Sequence, residues 1–209
     1  MKKIINVIFS IIFSVLIIIT IVKFTVGFKQ LYYFDIDYLN IPMLSGLSKE
    51  EIKENYDYTI DYNLSKENKE FELPTLKSSK QGKIHFEEVR DIFQNMNKIF
   101  NISLVLSIIG VIINILNKNI EILKTTSKTL ILLPMILMLP VVINFEGSFV
   151  LFHKIMFNND YWIFDPNLDP VINILPEKFF FHAGIMILIL VIVASLANYL
   201  IYKLLKREQ

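Results

Sequence analysis

Cysteine is absent from this 209-residue chain, which excludes disulfides, thiolate nucleophiles and thiolate-bound metals together. Any catalysis must therefore rest on nitrogen or oxygen groups. Glycine is scarce, at 6 residues, and no glycine-rich loop of the kind that cradles phosphate is present, which argues against a nucleotide-driven enzyme. Histidine occurs 3 times and tryptophan once, so every copy of either invites a reason. The net charge of +1 gives no general basic surface and no sign of nucleic-acid binding. What the chain has in quantity is apolar residues, 54% of the total, gathered in long runs rather than spread periodically. An all-α integral membrane protein is the class these features imply.

Four runs are candidates to cross a bilayer. Ile4 to Phe28 would reach about 37 Å as a helix, more than the roughly 30 Å hydrocarbon core. Lys2 and Lys3 resemble the start of a signal peptide, but no small-residue cleavage site follows, so a retained anchor is expected. The others cover about Ile99 to Leu116, Leu130 to Phe145 with Pro134 and Pro140 inside it, and Phe179 to Tyr202. The expected organisation is transmembrane helix 1 over 1–28, a cap over 29–94, helices 2 and 3 with a short loop over 95–145, an aromatic and histidine-bearing segment over 146–178, and helix 4 with its tail over 179–209.

Lysine and arginine set the orientation, because positively charged flanks stay cytoplasmic. The N-terminus, the 117–128 loop and the tail together hold 8 basic residues against 2 acidic. Segment 29–94 holds 9 against 13, and segment 146–178 holds 2 against 5. Both termini are thus expected in the cytoplasm and both longer segments outside, with all three histidines in or beside the outer segments.

Within the cap, Ser48-Lys49-Glu50-Glu51 fits a capping box and predicts a helix from about Lys49 to Tyr62. Pro74 and Gly82 punctuate two short extended pieces, Glu70 to Leu73 and Lys83 to His85, which predict a short hairpin. From Phe86 the pattern reads helical and runs into the second span, which places His85 at a helix start.

His85 and His153 therefore fall at the outer edge of one leaflet, a candidate reaction centre. The bland reading of His85 is a surface residue at a helix end. For the stretch after His153, with Phe157, Asp160, Tyr161, Trp162, Phe164 and Asp165, it is an interfacial aromatic belt with Asp-Pro turns. The belt explains the aromatics and leaves His153 unaccounted for. His182, at the outer end of the last span, reads as interfacial. A zinc site lacks both a His-Glu-x-x-His pair and an assigned third ligand, and a transporter would carry ionisable groups at mid-membrane.

His85-x-x-Glu88-Val89, Phe152-His153-x-x-x-Phe157-x-x-Asp160-x-Trp162-x-Phe164-Asp165-Pro166-x-x-Asp169 and Leu175-Pro176-Glu177-x-Phe179-Phe180 together resemble the lipoprotein intramolecular transacylase family, over nearly the whole chain. Glu88, where aspartate is about as frequent, and His182 depart from the family pattern. The resemblance implies a multi-pass protein of the bacterial cell membrane with its active site at the outer leaflet. Its substrate would be a bacterial lipoprotein whose N-terminal cysteine carries a diacylglyceryl thioether, and it would move the sn-2 acyl chain to the free α-amino group, giving a lyso-form lipoprotein. His85 and His153 would be catalytic, the first as base and the second as the group that donates a proton or polarises the carbonyl. Glu88, Tyr62, Asp160, Trp162 and Asp165 would support them, Tyr62 and Trp162 as donors to the oxyanion. No cofactor, metal, nucleotide or nucleic acid is implied, only lipoprotein and membrane lipid. A membrane esterase using the same histidines and a non-enzymatic assembly factor are the competing readings.

Overall fold

The computed structural model describes residues 2–67 and 69–208, and they form helices joined by turns and two longer loops, with no strand among the described residues. The helices are α1 (Lys2–Gly27), α2 (Lys29–Tyr38), α3 (Ile41–Ser45), α4 (Lys49–Leu64), α5 (Lys80–Leu116), α6 (Glu121–Ile143), α7 (Phe145–Met156) and α8 (Glu177–Arg207), with a 3-10 turn at Pro170–Asn173. Three stretches among the described residues, Lys3–Gly27, Lys80–Leu116 and Glu177–Arg207, are long and apolar enough to cross a membrane. The expected third span, Leu130 to Phe145, lies mostly in α6, with Pro134 and Pro140 inside that helix, and its last residue begins α7.

The chain divides into two compact units, one of Met1–Thr25, Met96–Ile143 and Gly184–Gln209, the other of Val26–Asn95 and Asn144–Ala183. The first is a helix bundle joined by small polar residues. Ser14 shares a 2.5 Å hydrogen bond with Thr129, and Ser195 donates to the Ser127 carbonyl at 2.7 Å. Lys23 donates to Asn97 at 2.7 Å. In hydrocarbon such bonds hold helices together because apolar packing there has no water to escape. Gly110 lets Phe9 lie against the α5 backbone, where any side chain would collide with the ring.

The second unit has a water-excluded core of its own. Tyr32, Ile36, Ile41, Ile52, Tyr56, Phe71, Phe86, Val171, Ile174 and Phe179 are buried in it, and Tyr32 stacks on Tyr56 at 3.6 Å between centroids. Burial pushes the Tyr32 and Tyr56 hydroxyls well above the ordinary tyrosine range, so both stay protonated. Tyr32 donates to the Ile174 carbonyl at 2.5 Å. The Ser48 capping box is present: the Ser48 hydroxyl accepts from the Glu51 amide, and the Glu51 carboxylate accepts from the Ser48 amide. It starts α4 at Lys49, as the sequence predicts.

One expectation needs correction. The hairpin over 70–85 does not form, because Lys83 to His85 already lie inside α5. Ser79 starts that helix, its hydroxyl accepting from the Gly82 amide at 2.9 Å, while the Asp169 carboxylate accepts from the Ser79 amide and hydroxyl at 2.7 Å each. Gly82 is there for closeness rather than for a turn: a Cβ at this position would run into the Asp169 carboxylate. His85 is consequently not a helix-start residue, and it sits beyond the first turn, where the helix dipole acts most strongly. The segment after the third expected span holds a helix that its sequence leaves unspecified. Residues 145–156 form a further helix, α7, capped by the Asn144 side chain accepting from the Gly147 amide.

Candidate active site

The site assembles from three pieces of the second unit: the start of α5, the last turn of α7 and the loop that follows. α5 carries His85 and, one turn on, Glu88. α7 carries His153. Its Nδ1 lies 2.7 Å from the Phe149 carbonyl one turn back. A carbonyl only accepts, so Nδ1 bears the proton, and in the neutral ring Nε2 is left with its lone pair.

The two imidazoles lie 6.1 Å apart between centroids, tilted by 32°. Aromatic rings enclose them. His85 meets Phe157 at 4.7 Å, Phe164 at 5.4 Å and Phe86 at 5.7 Å. His153 meets Phe149 at 4.2 Å and the Trp162 indole at 4.8 Å. His85 is 5% exposed and its Nδ1 is buried with no hydrogen-bond partner among the described residues. A buried N–H without an acceptor is costlier than a bare lone pair, so the tautomer with hydrogen on Nε2 is favoured. Burial holds the His153 pKa below the ordinary histidine value, and this outweighs the Phe149 carbonyl and the Glu177 carboxylate, which both pull it upward.

Of the supporting residues named from the sequence, the structure brings some to the histidines and not others. Trp162 lies on His153. Glu88 Oε1 accepts from the Asn159 side-chain amide at 2.7 Å, and Oε2 is buried without a partner among the described residues. Tyr62 is set apart by two rings: it packs edge-on against Phe71, which stacks on Phe86. Its hydroxyl is buried without a partner among the described residues, and burial raises its pKa against the pull of the Arg90 guanidinium. Asp160 and Asp165 are exposed and line a separate polar pocket of about 300 Å³ with Ser79, Gln81 and Asp169.

Two features had no signal in the sequence. Asn159 ties the loop to α5 through Glu88. Asp35, wholly buried, has both carboxylate oxygens 2.9 Å from Nδ1 of the partly buried His182, which anchors that ring. Asp35 is 147 residues away in sequence, and nothing local to either residue announces the other.

A family model described as lipoprotein intramolecular transacylase Lit matches residues 7–180. The chain belongs to the Lit family. It is accordingly an enzyme of acyl transfer, as the resemblance implied. No curated protein matches the chain. Among solved structures, it is similar to the membrane integral lipoprotein intramolecular transacylase Lit from Bacillus cereus, with a TM-score of 0.94 and 41% identity, covering 100% of this chain and 97% of that one. The same Bacillus cereus protein with an H85R substitution gives 0.92 and 40% over 100% and 93%. With H85A it gives 0.92 and 40% over 100% and 94%. A membrane-integral character for this Lit family member agrees with its three apolar helices.

Proposed function

We propose that the protein converts a diacylglyceryl lipoprotein to the lyso form by moving the sn-2 acyl chain onto the α-amino group of the N-terminal cysteine, using His85 and His153 at the outer leaflet of a bacterial cell membrane. The observation that carries this reading is the pair of imidazoles 6.1 Å apart inside an aromatic enclosure. Both partners of the reaction belong to one substrate molecule, so the enzyme's first task is to fold that headgroup until amine and ester carbonyl meet. The rings of Phe149, Phe157, Trp162 and Phe164 around the two histidines can do this by restricting the conformations open to the headgroup.

The tautomers favour a division of labour opposite to the one expected from the sequence. His153 Nε2 carries the lone pair and takes the proton as the amine nitrogen bonds to the ester carbon. It returns that proton to the glycerol oxygen as the carbon–oxygen bond breaks, so protons balance and the ring ends as it began. His85, neutral with hydrogen on Nε2, stabilises the tetrahedral oxyanion by donating a hydrogen bond without giving its proton up. An ester becomes an amide, a downhill change that needs no nucleotide. Glu88 fixes the loop around His153, whereas Tyr62, Asp160 and Asp165 lie away from the reacting atoms.

The topology that goes with this reading has four crossings, α6 being the fourth at about 34 Å for 23 residues. Both termini are cytoplasmic, and 29–94 and 146–178 are extracytoplasmic, on the lysine and arginine distribution. Purified protein incubated with a diacylglyceryl cysteinyl peptide, followed by mass spectrometry, tests the chemistry. An N-acyl, monoacylglyceryl product supports the transfer; free fatty acid with a free amine would mean that water is the acceptor and the protein an esterase.

A further inference from the structure

The loop that brings Trp162 to His153 is organised by one side chain and its own carbonyl. The Asn159 amide donates to Glu88 Oε1 at 2.7 Å, its side-chain oxygen accepts from the Tyr161 amide at 3.0 Å, and its main-chain carbonyl accepts from the Trp162 indole N–H at 3.1 Å. Each capacity of the residue is thus directed to a different place: α5, the loop backbone and the indole. The indole so held lies 4.8 Å from His153.

We propose that Asn159 is a positioning residue for this active site, anchoring the loop to Glu88 of the His85 helix and thereby holding the Trp162 indole against the His153 ring. It touches neither histidine. Its effect passes through Trp162, which walls one face of the His153 ring and limits the directions from which substrate can approach Nε2. Glu88 acts as the fixed point: its Oε1 is engaged by Asn159 alone among the described residues. This role rests on the assignment of His153 to the reaction.

Trp162 is the only tryptophan in the chain, so tryptophan emission comes from this indole alone. Charged imidazole quenches a touching indole more than neutral imidazole does, so emission from the full-length protein in lipid nanodiscs should titrate with His153. Asn159→Ala should abolish that titration and lower kcat at least tenfold with little change in KM. Because alanine can also loosen the fold, the deciding variant exchanges donor and acceptor. Asn159→Asp alone sets two acceptors against each other, and Glu88→Gln with Asn159→Asp restores one hydrogen bond in the reverse sense. Recovery of the Trp162 titration in the double variant, to within about threefold of wild-type kcat, is the expected result. A double variant no better than Asn159→Asp alone, or a Trp162 titration unchanged in Asn159→Ala, would overturn the proposal. The fluorescence needs no substrate, so a failure of the transacylase reading leaves this arm able to decide.

Discussion

His153 Nδ1 donates to the Phe149 carbonyl at 2.7 Å, one turn back along α7. That single bond fixes which nitrogen of the ring is free, and the proposed role of His153 as proton carrier rests on it. In His85, 6.1 Å away and enclosed by phenylalanines, the buried Nδ1, without a partner among the described residues, favours the complementary tautomer.

The pH dependence follows from the direction of the His153 shift. Burial lowers its pKa, so the ring stays neutral below the ordinary histidine value of about 6.5 and loses its lone pair only at lower pH. The acid limb of the rate profile assigned to His153 should therefore lie below pH 6.5. Stability has the same sign, because the unfolded chain binds the proton more readily: the contribution is intact above about 6.5 and is lost as pH falls toward the folded value. Measuring kcat and thermal stability from pH 4 to 8 checks both, and a His153→Gln variant should flatten the stability slope.

The start of α5 depends on the absence of a side chain at Gly82. Gly82→Ala should destabilise the protein by about 1–3 kcal/mol through collision with Asp169, seen as a lower Tm in detergent. In the double variant with Asp169→Ala, the loss should be smaller than the sum of the two single losses, because the collision has been removed.

Removing His182 should cost more than neutralising its partner. His182→Ala leaves the wholly buried Asp35 carboxylate without its ring, for which about 3 kcal/mol is reasonable, whereas Asp35→Asn keeps an oxygen to accept from Nδ1. Thermal melts of the two variants give the order; a larger loss in Asp35→Asn would contradict it.

Legibility divides along the range of the interactions. Ser48 and Glu51 sit three residues apart, and their cap could be read directly, as could the apolar lengths of α1, α5 and α8. The two histidines could be singled out by scarcity and by their flanks. Gly82 misled, because a glycine that permits close approach looks in sequence like one that permits a turn. α7 does not stand out in the sequence as a separate helix, because its apolar and aromatic residues follow directly on the third apolar run. Asn159 and Asp35 act on partners 71 and 147 residues away, and only the folded chain brings these together.

The central claim is that His85 and His153 together move an acyl chain within one lipoprotein. Mass spectrometry of a lipoprotein N-terminus from cells lacking other N-acylating enzymes, expressing wild type, His85→Ala or His153→Ala, tests it most directly. An N-acylated, monoacylglyceryl cysteine with wild type, lost with either substitution, is the predicted result. An unchanged diacylglyceryl cysteine with wild type, or full conversion by either variant, would contradict the account.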